Sequence, residues 1–182
     1  MDTRALTVWD AITTRKSIRT FDGAPIEKDK LERCLEAARL APSWANKQCW
    51  QFVLVIGKDE IASLGIVPAP IKNTPALLVA CGDPAKSGER EGKQYYLVDV
   101  AIATEHFVLE ALEQGLGTCW VGAFKEDKVR SALGIPDGIK VVALVPVGYP
   151  AEKDSLMARV TKRVIGSVNR KELSEIVHYQ RW

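Results

Sequence analysis

The sequence predicts one domain of mixed helix and strand, and three observations lead to that class. Short runs rich in Val, Leu, Ile and Phe at Gln51–Ile56, Ala76–Cys81 and Val141–Val147 have the length and content of strands. Between them, apolar residues recur at helical spacing, at Leu31, Cys34, Leu35 and Ala38 and again along Tyr95–Gln114. The third observation is size: 182 residues suffice for one hydrophobic core and are short for two. No repeat, low-complexity tract or long linker divides them.

Each element has its own reason. Thr7–Thr14 reads as a first helix whose Val8, Ala11 and Ile12 share a face, and Ser17–Phe21 is too β-branched to prolong it. Pro25 opens a second helix that runs through Leu40, and Pro42 stops it. A turn capped by Ser43 or Asn46 leads into the strand Gln51–Ile56. A helix near Lys58–Leu64 and a loop carrying Pro68 and Pro70 precede the strand Ala76–Cys81, which Thr74-Pro75 introduces. Tyr95–Gln114 is apolar over most of its girth, through Leu97, Val98, Ala101, Ile102, Val108, Leu109 and Leu112. Such a helix is central or shared between a core and a partner chain. Gly115 and Gly117 end it. A short strand Thr118–Val121, a helix Glu126–Leu133 and the strand Val141–Val147 follow. The tail Ala151–Trp182 scatters Leu156, Val160 and Ile165 among charges, then gathers Leu173, Ile176, Val177, Tyr179 and Trp182. It is too thin for its own core and apolar enough to lie across another surface.

Composition narrows the function classes. Apolar residues make up 47% and charged residues 26%, which excludes a disordered chain. A net charge of +2 gives no global pull toward nucleic acid or membranes, so any bound anion needs a local cluster. Cys34, Cys49, Cys81 and Cys119 form no C-x-x-C pair and read as core fillers, usage that suits a reducing compartment. Met1–Arg4 lack the apolar core of a secretion leader, and no apolar run nears the ~20 residues of a membrane helix. A cytoplasmic location is expected.

Three segments could carry chemistry. In an extended Arg15-Lys16-Ser17-Ile18-Arg19, alternate side chains bring Arg15, Ser17 and Arg19 to one side while Ile18 turns inward. Two guanidinium forks around a hydroxyl would cradle a phosphate; the plainer alternative is a solvated basic rim after a helix. The loop Ala41–Trp50 carries Ser43, Asn46 and Gln48, whose amides can read the donor–acceptor edge of a heterocycle or else merely cap a turn. Gly115–Phe124 has the wrong glycine spacing for a dinucleotide loop. Its glycines permit either close approach to a flat ligand or a simple helix stop. His106 and His178 lack companions at metal-ligand spacing, and there is no G-x-S-x-G elbow, so side-chain nucleophile catalysis finds no support. An enzyme of this kind would leave the difficult step to a cofactor.

Taken together, Arg15–Phe21, Ala37–Ser43 with Asn46, Gln48 and Trp50, Gly115–Phe124, Val147-Gly148-Tyr149-Pro150 and Arg170–His178 resemble the nitroreductase family of FMN enzymes. The resemblance implies an α+β fold with a central, mostly antiparallel sheet wrapped by helices. It implies an intertwined homodimer whose C-terminal tails cross over, with FMN bound at the interface by both chains. Residue by residue, Arg15, Ser17 and Arg170 would hold the phosphate, with Lys16 a lesser candidate and Arg163 or Lys171 possible substitutes for Arg170. Arg19 would face the flavin pyrimidine ring. Pro42, Ser43, Asn46 and Gln48 would reach in from the partner, and the backbone at Val121 and Gly122 would face N5.

The implied reaction is ping-pong hydride transfer from NAD(P)H through flavin N5 to nitroaromatics, quinones or related acceptors, with no catalytic side chain named. The alternatives are a specialised member (flavin fragmentation, dehalogenation or azoline oxidation), a non-catalytic flavin-binding protein, or an anion-binding module. The stretch Gly82–Gln94 is too short for the extra helices of longer members, so the substrate side is expected either to be open or to be covered by the loop Val67–Asn73.

Overall fold

The computed structural model describes residues 6–153, 155, 159 and 170–182. The expectations for Met1–Arg4, Leu156, Val160, Arg163 and Ile165 lie outside those residues.

Thr7 starts helix α1 (Val8–Thr14) with a reciprocal cap: its hydroxyl accepts from the Asp10 amide at 3.1 Å and Asp10 accepts from the Thr7 amide at 3.0 Å. Only Ala11 of this helix is buried; Val8 and Ile12, which share its face by their spacing, stand exposed, as does Trp9. Helix α2 (Lys28–Arg39) buries Leu31, Cys34 and Ala38 as the stripe predicts, and it begins three residues after Pro25. Helix α3 (Lys58–Leu64) lies between strands β1 (Trp50–Ile56) and β2 (Ala76–Gly82).

A two-residue hairpin, β3 (Glu89–Arg90) and β4 (Lys93–Gln94), then leads into the long helix α4 (Tyr95–Glu113). Beyond it come β5 (Gly117–Thr118), α5 (Glu126–Leu133) and β6 (Lys140–Gly148). The main sheet has the order β1-β2-β6-β5 with every neighbouring pair antiparallel.

Strand β2 is buried along its whole length because both faces of the sheet are covered. Alternate residues divide accordingly. Leu78, Ala80, Ala143 and Val145 pack with α2 and α4, through Leu31, Cys34, Val100 and Phe107. Leu77, Val79, Cys81 and Leu144 pack with α3 and α5, through Ile61 and Val129, and with Ile18 and Phe21.

The strand expected over Thr118–Val121 is shorter, and Pro146 explains it. The Cys119 amide donates to the Pro146 carbonyl at 3.3 Å, but proline has no N–H to return the bond, so the ladder stops and resumes only at the Val121–Leu144 bridge. Residues 119 and 120 are thereby released from regular pairing.

Two glycines set how the layers meet. A Cβ on Gly117 would lie 2.6 Å from Ile18, and one on Gly148 would lie 2.5 Å from Pro75. The chain after α1 can therefore lie directly on the end of β5 and β6. Among the described residues no helix is long and apolar enough to cross a membrane.

Candidate functional site

Arg15 leaves the helix with extended backbone, and the segment after it is held on both sides. The Ile18 amide donates to Thr118 at 2.8 Å, and the Arg19 carbonyl accepts from Lys72 at 3.0 Å. The alternation expected of an extended strand follows: Ile18 is buried in the core, Lys16 is exposed, and Arg15, Ser17 and Arg19 gather around Cys119. Burial pushes the Cys119 thiol up, opposed by the nearby Arg19 charge, a hydrogen bond with Ser17 and the Arg15 charge.

Arg15 faces Glu105 of α4 at 4.0 Å, a long ion pair that leaves its guanidinium free for a better partner. Arg19 is only 8% exposed, and its Nη1 is buried without a hydrogen-bond partner among the described residues. A buried cationic donor left unpaired is costly and calls for an acceptor from outside the chain.

Arg19 lines a cleft of about 250 Å³. One wall is Pro68, Pro70 and Ile71, and the other is the irregular stretch Cys119–Ala123, which includes Val121 and Gly122. The proline-rich loop therefore borders this cleft, as expected for Val67–Asn73. A Cβ on Gly122 would meet nothing within 4 Å, so the backbone there is open to a ligand's approach. The cleft can take the edge of a flat, acceptor-bearing ring, with Arg15 and Ser17 beside it for an anion, while Lys16 alternates to the other side.

The amide-rich loop forms a second cluster. Ser43 precedes a short 3₁₀ turn, Trp44–Asn46, and its hydroxyl accepts from the Gln48 amide at 2.9 Å. Asn46 does not cap; its carboxamide oxygen accepts from Gln48 Nε2 at 3.2 Å. Ala45, Asn46 and Gln48 all have positive φ, of 47°, 55° and 50°. Three left-handed non-glycine residues in one loop are strain of the kind held at ligand sites. Pro42, Asn46 and Gln48 are exposed and Ser43 is half-buried.

Within one chain the two clusters do not meet. Trp44 is tied to Asp99 and Arg15 faces Glu105, six residues further along α4. That is roughly 9 Å along the helix and about one and two-thirds turns around it. Nor does Arg170 join the Arg15 cluster: it is exposed, with no ion pair or hydrogen bond among the described residues. Two further features escaped the sequence reading. Asp99 is buried beneath the amide-rich loop, and the indole Nε1 of Trp120 is buried without a partner. A lone carboxylate among Leu97, Val98 and Val100 was a signal available in the sequence, since charges are rarely buried without a task.

The model of the nitroreductase family matches residues 12–69 and 68–149. A protein of Archaeoglobus fulgidus, provisionally named an NADH dehydrogenase/NAD(P)H nitroreductase, is 34% identical over 151 residues, covering 79% of this chain and 86% of its own length. The crystal structure of a nitroreductase family protein from Clostridium novyi NT superposes with a TM-score of 0.75 at 38% identity, over 84% of this chain and 90% of that one. An FMN-dependent nitroreductase from Clostridium difficile R20291 superposes at 0.74 with 25% identity, over 94% and 98%. The chain belongs to the nitroreductase family.

Proposed function

We infer that the chain is an FMN-dependent NAD(P)H oxidoreductase, acting as a cytoplasmic homodimer on nitroaromatics, quinones or related acceptors by a ping-pong scheme. The observation that carries this reading is the buried, unpartnered Nη1 of Arg19 at the cleft beside Val121 and Gly122. The flavin pyrimidine edge offers the acceptor that this nitrogen lacks. FMN, when bound, supplies the hydride chemistry, taking reducing equivalents from NAD(P)H and passing them to the acceptor.

The chain's own residues bind and polarise. Arg19 places positive charge where negative charge gathers on reduction, and its burial strengthens the effect. Arg15 and Ser17, with Lys16 a lesser candidate, supply donors for the phosphate, and Arg170 reaches it from the crossing tail of the second copy. The open backbone at Gly122 presents its amide to the ring, that of Val121 being engaged by Leu144, and Pro42, Ser43, Asn46 and Gln48 come from the second copy. Support for a shared site is the separation of the two clusters on one chain, together with exposed apolar residues on α1, on α4 and in the tail.

The test is subunit complementation. Arg19→Met and Gln48→Ala chains, each with little NAD(P)H-dependent quinone reduction, are refolded together. If both chains build each site, the mixture regains activity, because one of the two sites in the mixed dimer is unaltered. No recovery in a verified mixed dimer would contradict the shared site. Initial rates should give parallel double-reciprocal lines; intersecting lines would contradict the ping-pong scheme.

A further inference from the structure

We propose that Asp99 is the positioning residue that holds the Ser43–Gln48 loop in its ligand-ready path, and so sets the affinity for the cofactor in the partner's cleft. The proposal rests on the reading that this loop meets the flavin. Asp99 sits on α4, 1% exposed, between apolar neighbours. Among the described residues no cation pairs with it; its oxygens are satisfied by three neutral donors, two at the ends of the loop and one from a separate segment. The Trp44 amide donates to Oδ1 at 2.8 Å. The Cys49 thiol donates to Oδ2 at 3.6 Å, and the Ser87 hydroxyl donates to the same oxygen at 3.3 Å.

Those three contacts surround the strained part of the loop. Trp44 lies at its start and Cys49 follows its end, so one carboxylate grips both ends of the stretch that carries Ala45, Asn46 and Gln48 in left-handed conformation. Ser87 closes the third side from the segment before the hairpin. There Gly88 makes room for the Trp44 ring, since a Cβ would fall 2.3 Å from it, and Trp44 stacks on Tyr95 with centroids 5.6 Å apart. A hydrophobic residue at position 99 would pack well in such a place. A buried carboxylate costs more and is justified by the geometry it imposes, because charge-assisted hydrogen bonds are strong and directional. The strain at Ala45, Asn46 and Gln48 persists only while its surroundings over-determine it.

The experiment uses the full-length dimer and two readouts, trypsin cleavage after the exposed Lys47 and FMN affinity by fluorescence quenching. Asp99→Ala should speed Lys47 cleavage several-fold and weaken FMN on the order of 10- to 100-fold, as losing the acceptor of buried donors does. Asp99→Asn keeps an oxygen for the Trp44 amide and should restore most of both, which also provides a folded variant should the alanine chain misfold. The double variant Asp99→Ala with Gln48→Ala should bind FMN no worse than the weaker single variant, since both act through one loop. Unchanged cleavage in both Asp99 variants would overturn the proposal. So would faster cleavage with unchanged FMN affinity, provided Gln48→Ala does weaken binding. If Gln48→Ala leaves FMN affinity intact, the loop is not a flavin contact, and the positioning role falls with that reading.

Discussion

Arg19 is the residue on which the site turns. Its guanidinium is buried in the apoprotein with one nitrogen unpaired, so it destabilises the empty fold and is compensated when an acceptor arrives. The two effects separate in one variant. Arg19→Met should raise the urea stability of the FMN-free protein by about 1–3 kcal/mol, while weakening FMN binding by at least about 10-fold. A loss of stability in the apoprotein would contradict the unpaired charge.

The buried thiols make a separate prediction, about pH. Burial pushes the Cys34 thiol up from 9.0 to about 12 and the Cys81 thiol up to about 11. Above pH 9 the unfolded chain releases these protons and the folded chain keeps them. The stabilisation is therefore complete below pH 9 and is lost as pH rises toward 11 and 12. The urea midpoint should fall between about pH 8 and pH 10.5, and fall less in Cys34→Ala, which has no thiol to titrate there. An equal fall in both would assign the effect to other groups.

At the scale of elements, the close contact between β5 and the segment after α1 delivers the basic cluster to the cleft. Gly117 permits it, since any Cβ there would strike Ile18. Gly117→Ala should cost about 1–3 kcal/mol of stability. It should also weaken FMN binding by displacing Arg15, Ser17 and Arg19 together; thermal unfolding and an FMN titration on the same sample read both. A stable variant with unchanged FMN affinity would show that this contact does not position the cluster.

Much of this was legible before any coordinates. Strands β1, β2 and β6 announce themselves through apolar runs, α2 through its stripe, and the convergence of Arg15, Ser17 and Arg19 through alternation. The early end of β5 was not, because it depends on Pro146 lying opposite Cys119, a pairing invisible until the sheet is assembled. The hairpin β3–β4 was missed because Glu89, Arg90, Lys93 and Gln94 are all exposed and give no apolar alternation. Asp99 was readable as an oddity in α4, but its task depends on Trp44, Cys49 and Ser87 arriving from elsewhere in the chain.

On the scale of the whole molecule, the proposed homodimer would cover large apolar side chains that the described residues of one chain leave exposed. Val8 and Trp9 are 76% and 72% exposed, Leu97 and Val98 stand out from α4, and Leu173, Ile176, Tyr179 and Trp182 lie exposed in the tail. These are the side chains that such an interface would use. A chain ending at Arg170 should dissociate more readily, with an increase in dimer dissociation constant of at least about 30-fold if even one large side chain's burial is lost. Sedimentation velocity would detect it, and an unaltered dimer would assign the tail no part in association. FMN retention should fall with the dimer, because each site would lose Pro42, Ser43, Asn46 and Gln48 from the second copy.

The central claim is that this dimer holds FMN at Arg19 and draws its electrons from a nicotinamide. The most direct measurement is the visible spectrum of the protein after incubation with FMN and desalting, followed by anaerobic addition of NADH or NADPH. The account predicts near-stoichiometric flavin bands that bleach with at least one nicotinamide, and a sample of Arg19→Met that elutes colourless. Wild-type protein that retains no flavin, or holds flavin that neither nicotinamide bleaches, would contradict it.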